Sequence, residues 1–167
     1  MKIRPETEND IAAIHAVNVA AFETDAEARL VDELRKHADP FISLVAERDG
    51  DIVGHIAFSP VTHSARADVS ILGLGPMAVV PDLQKQGIGT FLVARGLEEC
   101  RSLGAGALVV LGHPEYYPRF GFVPASRFGI KCEYDVPDEV FMAMELEEGY
   151  LANTAGLVNY HPAFGAV

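Results

Sequence analysis

A glycine-containing turn near the middle of the chain has the residue types that bind phosphate. It lies in the segment from Gly75 to Thr90, which reads GPMAVVPDLQKQGIGT. The apolar first half predicts a strand, and a helix is expected to begin at about Gly87. Glycines at a helix start let a ligand approach the backbone, where unpaired N–H groups and the helix dipole attract anions. Because Lys85 adds a positive charge, the segment predicts a phosphate site.

Other phosphate-binding motifs fit this segment poorly. A Walker loop needs Gly-Lys followed by Ser or Thr, and that triplet occurs nowhere in the chain. A dinucleotide fingerprint that started at Gly87 would need glycine five residues later, where Leu92 stands. On glycine spacing alone, a helix that merely begins with two flexible residues stays open as an explanation.

Two motifs together resemble the GNAT N-acetyltransferase superfamily. The residues from Gln84 to Gly89, QKQGIG, are similar to the Gln/Arg-x-x-Gly-x-Gly/Ala core of motif A in that family. Downstream, the residues from Glu115 to Phe122, EYYPRFGF, resemble its Tyr-x-x-x-Gly-Phe element. The order of elements also matches, so the resemblance covers roughly residues 1 to 147. The second motif and the Val158-x-Tyr160 tail resemble a bacterial subgroup of predicted acetyltransferases.

The resemblance implies acetyl-CoA as the cofactor. Backbone groups of the strand at Met77, Ala78 and Val79 would pair with the pantetheine arm. The pyrophosphate would be held at Gln84, Lys85, Gln86, Gly87, Ile88, Gly89 and Thr90. Further contacts to the cofactor are expected from His113, Tyr116 and Phe120. Many members have Arg and Gly where this chain has Gln84 and Lys85, and Lys85 partly restores the charge that Gln84 lacks.

The same resemblance implies direct attack of an amine on a thioester, and Tyr117 takes the position of the catalytic tyrosine. Its hydroxyl would give a proton, or a hydrogen bond, to the departing thiolate. Tyr116 is the nearby alternative, with packing on the cofactor or the sheet as its other role. Relatives often place a basic Glu on the motif A strand, where this chain has the apolar residues Leu72, Leu74 and Met77. The general base is therefore not identifiable.

Histidines supply weaker candidates for that base and for other contacts in the pocket. His113 could act as a base, hydrogen-bond the cofactor arm, or cap the short helix that follows. His55, His63 and Glu115 are further candidates for the pocket. The six histidines show no pair at metal-ligand spacing, and only two cysteines occur. We therefore expect no metal site and no disulfide framework, with the reducing cytoplasm as the compartment.

Charge narrows the range of partners. Thirteen basic residues stand against 24 acidic ones, a formal net charge of −11. Binding to nucleic acid or to anionic membranes needs clustered Lys and Arg, so neither is expected. An acidic surface would instead steer a cationic amine acceptor, whether a small molecule, a peptide or a protein. The acceptor, other acyl groups and a homodimer are left open.

The pattern of elements predicts one α/β domain over residues 1–167 (α+β, with a mixed sheet), in which a tail packs on a core of about residues 1–147. A strand at Lys2–Arg4 precedes two helices, whose capping boxes are expected at Thr7 and Asp10 and at Thr24 and Glu27. Three antiparallel strands follow, with a bulge near Pro76 and an Asp-Gly turn between the first two. A helix to Leu103 then leads to a parallel buried strand at Ala107–Leu111, and late strands follow.

The helix to Leu103 is expected to turn Ile88, Phe91, Leu92 and Leu97 inward. The resemblance implies the GNAT acyl-CoA N-acyltransferase fold, a central mixed sheet flanked by helices with a splayed pair of strands for the cofactor. Acetyl-CoA-dependent N-acetyl transfer to an amine in a ternary complex is therefore the expected function. A non-catalytic acyl-CoA-binding or sensor module is the alternative, favoured by the missing acidic base.

Overall fold

A computed structural model describes residues 1–166 of the chain. Its helices are α1 Ile11–Phe22, α2 Ala26–His37 and α3 Ile88–Leu103. Its strands are β1 Lys2–Pro5, β2 Ile42–Arg48, β3 Asp51–Pro60, β4 Thr62–His63, β5 Ile71–Val79, β6 Ala107–Leu111, β7 Val123–Pro124, β8 Ile130–Cys132, β9 Phe141–Glu145 and β10 Gly156–Asn159. Short 3₁₀ turns join several of them, including Pro81–Leu83 before α3 and Tyr117–Phe120 after β6. None of the helices in this range is long and apolar enough to cross a bilayer.

The central sheet is mixed, as expected. Its seven strands run in the order β1-β2-β3-β5-β6-β9-β7, and a second sheet has the order β4-β10-β8. Strands β2, β3 and β5 pair antiparallel, whereas β5 and β6 pair in parallel because α3 crosses between them. Asp49 and Gly50 both have positive φ and form the tight turn of the predicted β2–β3 hairpin.

The strands β5 and β6 separate at the centre of the sheet. Their pairing ends at Leu74 and Val110, although β5 continues to Val79. On its other edge, β5 shifts register against β3 between Leu74 and Met77, which is the bulge predicted near Pro76. Within residues 1–166, one edge of β5 beyond Gly75 therefore has no neighbouring strand.

Helices cover both faces of this sheet. A Cβ atom on Gly54 would lie 3.1 Å from side chains of α3, so this face of β3 packs against α3. The next side chain, His55, contacts Asn18 of α1. Successive side chains of a strand point to opposite faces, so α1 and α2 cover the face opposite α3. The second sheet covers the rest of that face, since a Cβ on Gly73 would meet the ring of Tyr160.

Three local expectations about helices have different outcomes. The capping box at Thr7 and Asp10 is present, and the Thr7 N–H donates to the Asp10 carboxylate at 2.7 Å. The box at Thr24 and Glu27 is not formed: Asp25 is the N-cap of α2, and Glu27 makes no capping hydrogen bond. Phe91 is 59% exposed rather than buried, because the buried stripe of α3 runs through residues such as Ile88 and Leu92 and leaves Phe91 outside it.

The late part of the chain follows the prediction in part. Strands β7 and β9 form near the expected positions and extend the central sheet beyond β6. The tail does form a strand, β10, but it joins the second sheet between β4 and β8. The segment just after β3 contributes β4 to that sheet. Strands of only two or three residues are too short to show an alternating pattern of apolar and polar residues in the sequence.

Candidate functional site

The start of α3 forms a cradle of backbone groups. Lys85 and Gly87 both adopt positive φ, 63° and 91°, and a Cβ at Gly87 would meet nothing within 4 Å. A side chain at Gly87 would therefore project into open space, at a helix start where the first N–H groups have no intrahelical acceptor. We call this region the cradle, a cavity of about 430 Å³ lined by Val79, Leu83, Gln84, Lys85, Gly87, Ile88, Gly89, Thr90, Tyr116 and Arg119.

Two cationic side chains and one aromatic ring complete the cradle. Lys85 lies in the turn just before α3, and Arg119 comes from the Tyr117–Phe120 turn. The Arg119 guanidinium lies 4.3 Å from the centre of the Tyr116 ring, and its Nε donates to the Tyr116 carbonyl at 2.8 Å. The Tyr116 hydroxyl lies 3.0 Å from Thr90 Oγ1, which ties this turn to α3. Positive charge and helix dipole thus act on the same space.

The free edge of β5 offers backbone hydrogen-bonding groups beside the cradle. The N–H of Val80 donates to Val53 of β3 at 2.9 Å. Backbone groups alternate in direction along a strand, so Val79 and Met77 present theirs to the opposite, unpaired edge. On that side the Val79 carbonyl accepts only the side-chain amide of Gln84, at 3.0 Å. An extended molecule with amide groups can pair with this edge as an additional strand would.

A larger cavity opens where β5 and β6 separate, between the α1–α2 layer and the second sheet. Its volume is about 550 Å³. We call it the main cavity, and it is lined by Phe22, Glu27, Leu30, Leu74, Gly75, Pro76, Met77, Val79, Gln84, Leu111, Gly112, His113, Tyr116, Tyr117, Tyr134, Tyr160 and Phe164. Val79, Gln84 and Tyr116 also line the cradle, so the two spaces are continuous along β5.

Tyr117 is held firmly on the β6 side of the main cavity. Its ring packs edge-on against Tyr116 and Phe122, with centroid distances of 5.1 and 5.7 Å. A Cβ on Gly112 would overlap the same ring, so only glycine fits beneath it. Burial, with a smaller effect of Tyr116, raises the pKa of Tyr117 to about 12. The hydroxyl is therefore an O–H donor throughout the neutral range.

Two other polar atoms at the main cavity are buried without a partner among the described residues. They are Oε2 of Glu27, in the first turn of α2, and the hydroxyl of Tyr160, just after β10. Burial raises the pKa of Tyr160 well above 10, so its hydroxyl also stays protonated. A buried polar group without a hydrogen bond is costly, so the unpaired polar atoms of these two lining residues are unusual.

The structure brings most of the predicted site residues to these two cavities. Three of them lie elsewhere. Ala78 is buried opposite His55, Gln86 is exposed with its amide donating to the Asp82 carbonyl at 3.4 Å, and Phe120 packs on Tyr116 and Tyr117 without lining either cavity. Phe120 therefore acts on the site through the tyrosines it supports.

His55 and His63 do not line either cavity. His55 is fully buried, and burial lowers its pKa to about 4, against an opposing effect of Glu6. The Ser43 hydroxyl donates to Glu6 and lies 2.8 Å from His55 Nε2. With Nε2 protonated, His55 donates to Ser43 and accepts from Asn18 through Nδ1, at 3.3 Å. His55 thus joins β3 to α1 and β2 in a structural network.

The other predicted polar candidates lie at different depths. His63 is held by the carbonyl of Thr154 at 2.6 Å, within the second sheet. His113 lines the main cavity, but its side chain is 82% exposed and lies 3.7 Å from the equally exposed Glu115. Among residues 1–166, no cluster of His, Cys, Asp and Glu could hold a metal ion.

Sequence reasoning missed Glu27 and Tyr160 as site residues. Glu27 was interpreted as part of a capping box, because it lies three residues after Thr24. Tyr160 was interpreted as an apolar residue of the packed tail. The available signal was weak: a carboxylate in the first turn of a helix whose other face is apolar fits a cap and a binding residue equally well.

An extended anionic cofactor fits these spaces. The cradle has two cations and open backbone N–H groups for phosphates, and the free β5 edge has amide partners for an arm. The added Cβ of an alanine at Gly89 would lie 3.3 Å from the Tyr116 hydroxyl, so glycine lets this turn of α3 pack closely against Tyr116. The residues present therefore match the chemistry of coenzyme A.

Comparison with known proteins agrees with this geometry. The model of the Acetyltransferase (GNAT) family matches residues 9–122. The chain is 37% identical over 165 residues to the uncharacterized N-acetyltransferase YhbS of Escherichia coli K12, covering 98% of each chain. The crystal structure of Escherichia coli YhbS in complex with CoA superposes with a TM-score of 0.91 at 36% identity, covering 98% of this chain and 91% of the other.

A second solved structure is similar over its whole length. The GNAT family acetyltransferase from Brucella melitensis, in complex with acetyl-CoA, has a TM-score of 0.81 at 37% identity, covering 98% of this chain and 97% of the other. The superfamily and the fold expected from the two motifs are therefore confirmed. The chain belongs to the GNAT family of N-acetyltransferases.

Proposed function

We propose that this N-acetyltransferase moves the acetyl group of acetyl-CoA to an amine by direct attack in a ternary complex. The observation that carries the proposal is the position of Tyr117, whose protonated hydroxyl belongs to the cavity beside the free edge of β5. When bound, acetyl-CoA supplies a thioester whose acyl carbon an amine can attack. The resemblance of the two solved relatives, crystallised with CoA and acetyl-CoA, supports this cofactor.

The cradle binds the pyrophosphate in this proposal. Backbone N–H groups from Gly87 to Thr90 donate to phosphate oxygens, and Lys85 and Arg119 supply opposite charge. The overall charge of −11 opposes binding of such an anion, so these local cations and the dipole of α3 must outweigh it. Contacts at the helix start act within a few ångströms, whereas interactions with exposed charges farther than a Debye length of about 10 Å are largely screened.

The free edge of β5 orients the arm of the cofactor. Met77 and Val79 turn their backbone groups toward it, and the bulge at Pro76 directs the strand away from β6. Because no β6 backbone reaches this part of β5, the arm does not displace a strand when it enters. The reacting end is then directed into the main cavity.

Tyr117 stabilises the departing sulfur. Its pKa of about 12 lies well above the ~8.5 of an ordinary alkyl thiol such as cysteine. Full loss of the phenol proton to a thiolate is therefore uphill in this environment, and Tyr117 acts as a hydrogen-bond donor to the developing negative charge. A fixed donor of this kind lowers the barrier because no reorganisation is needed as charge develops.

The enzyme acts in the reducing cytoplasm under this proposal. Both cysteines in the described residues are free thiols. Cys100 lies on the buried face of α3, and desolvation raises its pKa to about 12, so it is not a reactive nucleophile. The amine loses a proton to solvent, and the neutral amine attacks the thioester directly; the new C–N bond replaces the C–S bond, and the amide nitrogen gives up a proton while the leaving thiolate takes one up from solvent. No acyl-cysteine step is required.

Release of free CoA tests the proposed function. The wild-type protein is mixed with acetyl-CoA and a panel of primary amines, and free thiol is measured with a chromogenic disulfide. We expect thiol release that depends on the amine, with the N-acetyl product seen by mass spectrometry. Calorimetry with acetyl-CoA alone is run in parallel. Tight binding without amine-dependent release would instead identify an acyl-CoA-binding module, and absence of binding would refute both.

A further inference from the structure

Two residues that line the main cavity each carry a buried polar atom without a hydrogen bond. Glu27 Oε2 and the Tyr160 hydroxyl are both buried, both belong to residues that line the main cavity, and neither has a partner among the described residues. They come from different layers, α2 and the segment after β10. A carboxylate accepts hydrogen bonds only, and a tyrosine hydroxyl can also accept one. A ligand group with several N–H donors is therefore the complement to this pair.

The carboxylate of Glu27 has no cation to neutralise it within its own layer. The nearest arginine in sequence, Arg29, pairs instead with Asp25 at 3.1 Å on the exposed side of α2. Arg35 is engaged with Glu6 at 2.7 Å. The expected cap to Thr24 is not formed either, and Ala26 is the residue whose N–H reaches the Thr24 hydroxyl, at 3.4 Å. The side chain thus remains available to a cationic ligand.

The remaining walls near this pair are apolar and aromatic. Leu30 lies one turn beyond Glu27 on α2, and Phe22 ends α1 beside it. Across the cavity, the Tyr160 ring lies 6.2 Å from Tyr134 and 5.1 Å from Phe164, measured between centroids. Such walls stabilise a hydrocarbon or an aryl ring and offer few hydrogen bonds to a sugar or a peptide.

We infer that Glu27 and Tyr160 bind the amino group of the acceptor, and that the acceptor is a primary amine carried on an apolar aryl or alkyl group. This inference rests on the proposed function, because it places the amine in the cavity that Tyr117 shares. Glu27 and Tyr160 act as specificity-determining residues: they select a group that carries N–H donors and positive charge. The aromatic wall selects the apolar body.

Binding and turnover with one matched pair of ligands test this inference. The probes are 2-phenylethylamine and 2-phenylethanol, which differ only in the amino group, and kanamycin serves as a polar polyamine. Each is titrated by calorimetry into the protein with and without CoA. Turnover of the amines with acetyl-CoA is then followed by thiol release. Glu27→Gln is the test variant, and Glu33→Gln is the control on the exposed side of the same helix.

We expect 2-phenylethylamine to bind and 2-phenylethanol to bind at least about 10-fold more weakly, since a hydrogen bond to a charged group is lost. Glu27→Gln should raise the Kd and KM for the amine about 10- to 100-fold, with the Kd for CoA unchanged. Tyr160→Phe keeps the ring and should raise both constants several-fold. Glu33→Gln should behave as wild type.

The outcomes separate this inference from the proposed function. Binding of the amine that depends on Glu27, without any turnover, would support the amine site and refute the acetyl transfer. Turnover that Glu27→Gln leaves unchanged would refute the amine site and keep the transfer. Preference for kanamycin over 2-phenylethylamine, or equal binding of the amine and the alcohol, would also overturn the inference. A folded state for each variant is checked by circular dichroism.

Discussion

The cradle and the main cavity lie side by side along β5 but are built in different ways. The cradle is mostly one continuous segment from Gln84 to Thr90, and in the proposed function it binds phosphate chiefly through backbone groups. The main cavity takes side chains from α1, α2, β5, β6 and the tail, between residues 22 and 164. A backbone site serves a ligand that is common to a family, whereas a site of side chains can change with each acceptor. The four predictions below test this contrast, from the largest expected effect to the smallest.

The folded protein is expected to lose stability in acid through His55, which joins β3 to the helix layer. The pKa of His55 is about 4 in the folded protein, below its ordinary value of 6.5. Between these values the unfolded chain binds a proton that the folded chain excludes. His55 therefore contributes about 3 kcal/mol to the free energy of unfolding above pH 6.5. This contribution is lost as the pH falls toward 4.

Urea unfolding at pH 7 and pH 4.5 measures this loss. His55→Gln should flatten the dependence of the unfolding free energy on pH, whatever its effect on absolute stability. His37→Gln, at an exposed histidine, is the control and should keep the wild-type slope. An equal slope in His55→Gln and wild type would mean that other groups, not the buried network of α1 and β3, cause the acid sensitivity.

Loss of the Tyr117 hydroxyl should reduce turnover strongly while leaving the cradle intact. In Tyr117→Phe the ring keeps its packing on Gly112, and only the donor to the leaving sulfur is lost. We expect kcat to fall about 10²-fold, with little change in the Kd for acetyl-CoA. Steady-state thiol release and calorimetry measure the two quantities.

Tyr150→Phe is the matched control for this prediction. Its hydroxyl accepts the Ser70 N–H at 2.7 Å, outside both cavities. An unchanged kcat in Tyr117→Phe would refute the catalytic role proposed for Tyr117. A parallel loss in both variants would indicate a general loss of stability.

Removing the positive charges of the cradle should weaken the binding of acetyl-CoA and leave the binding of the acceptor unchanged. The double variant Lys85→Gln and Arg119→Gln removes both positive charges that line this cavity. We expect the Kd for acetyl-CoA to rise about 10-fold, because two partly screened charge interactions are lost. The salt dependence of the Kd should also decrease.

The control variant removes the same charge elsewhere. Arg29→Gln with Lys36→Gln neutralises two exposed cations of α2 outside the cradle. If both double variants weaken the binding of acetyl-CoA equally, then the net charge rather than the cradle governs its affinity. If neither does, the backbone of α3 binds the phosphates without help from these side chains.

The smallest effect is expected at Phe91. This residue lies on α3 one turn after the cradle begins, but its side chain is 59% exposed. Phe91→Ser should change the unfolding free energy by less than about 0.5 kcal/mol and leave the Kd for acetyl-CoA unchanged. Leu92→Ala, at the buried neighbour, should cost about 2–5 kcal/mol. Thermal unfolding and calorimetry compare them, and a large loss in Phe91→Ser would indicate an interface on this face.

Much of the fold could be predicted because its signals are local. The Asp49-Gly50 turn, the capping box at Thr7 and the glycine at the end of α3 each depend on a few neighbouring residues. The parallel arrangement of β5 and β6 followed from the helix between them. Phe91 was placed wrongly, because a helical repeat defines a stripe only to within about one residue at its margins.

The candidate site likewise has one part that the sequence predicted and one part that it did not. The sequence by itself predicted the helix start of the cradle, because its glycines and unpaired N–H groups belong to one continuous segment. The resemblance to the GNAT family implied the role of Tyr117, which stays a prediction. Only the tertiary structure decided that Glu27 and Tyr160 belong to one cavity, and that both lack a partner. The physical reason is that a hydrogen bond depends on distance in space. The packing of α2 and the tail across the gap between β5 and β6 sets that distance, and no local pattern of residues records it.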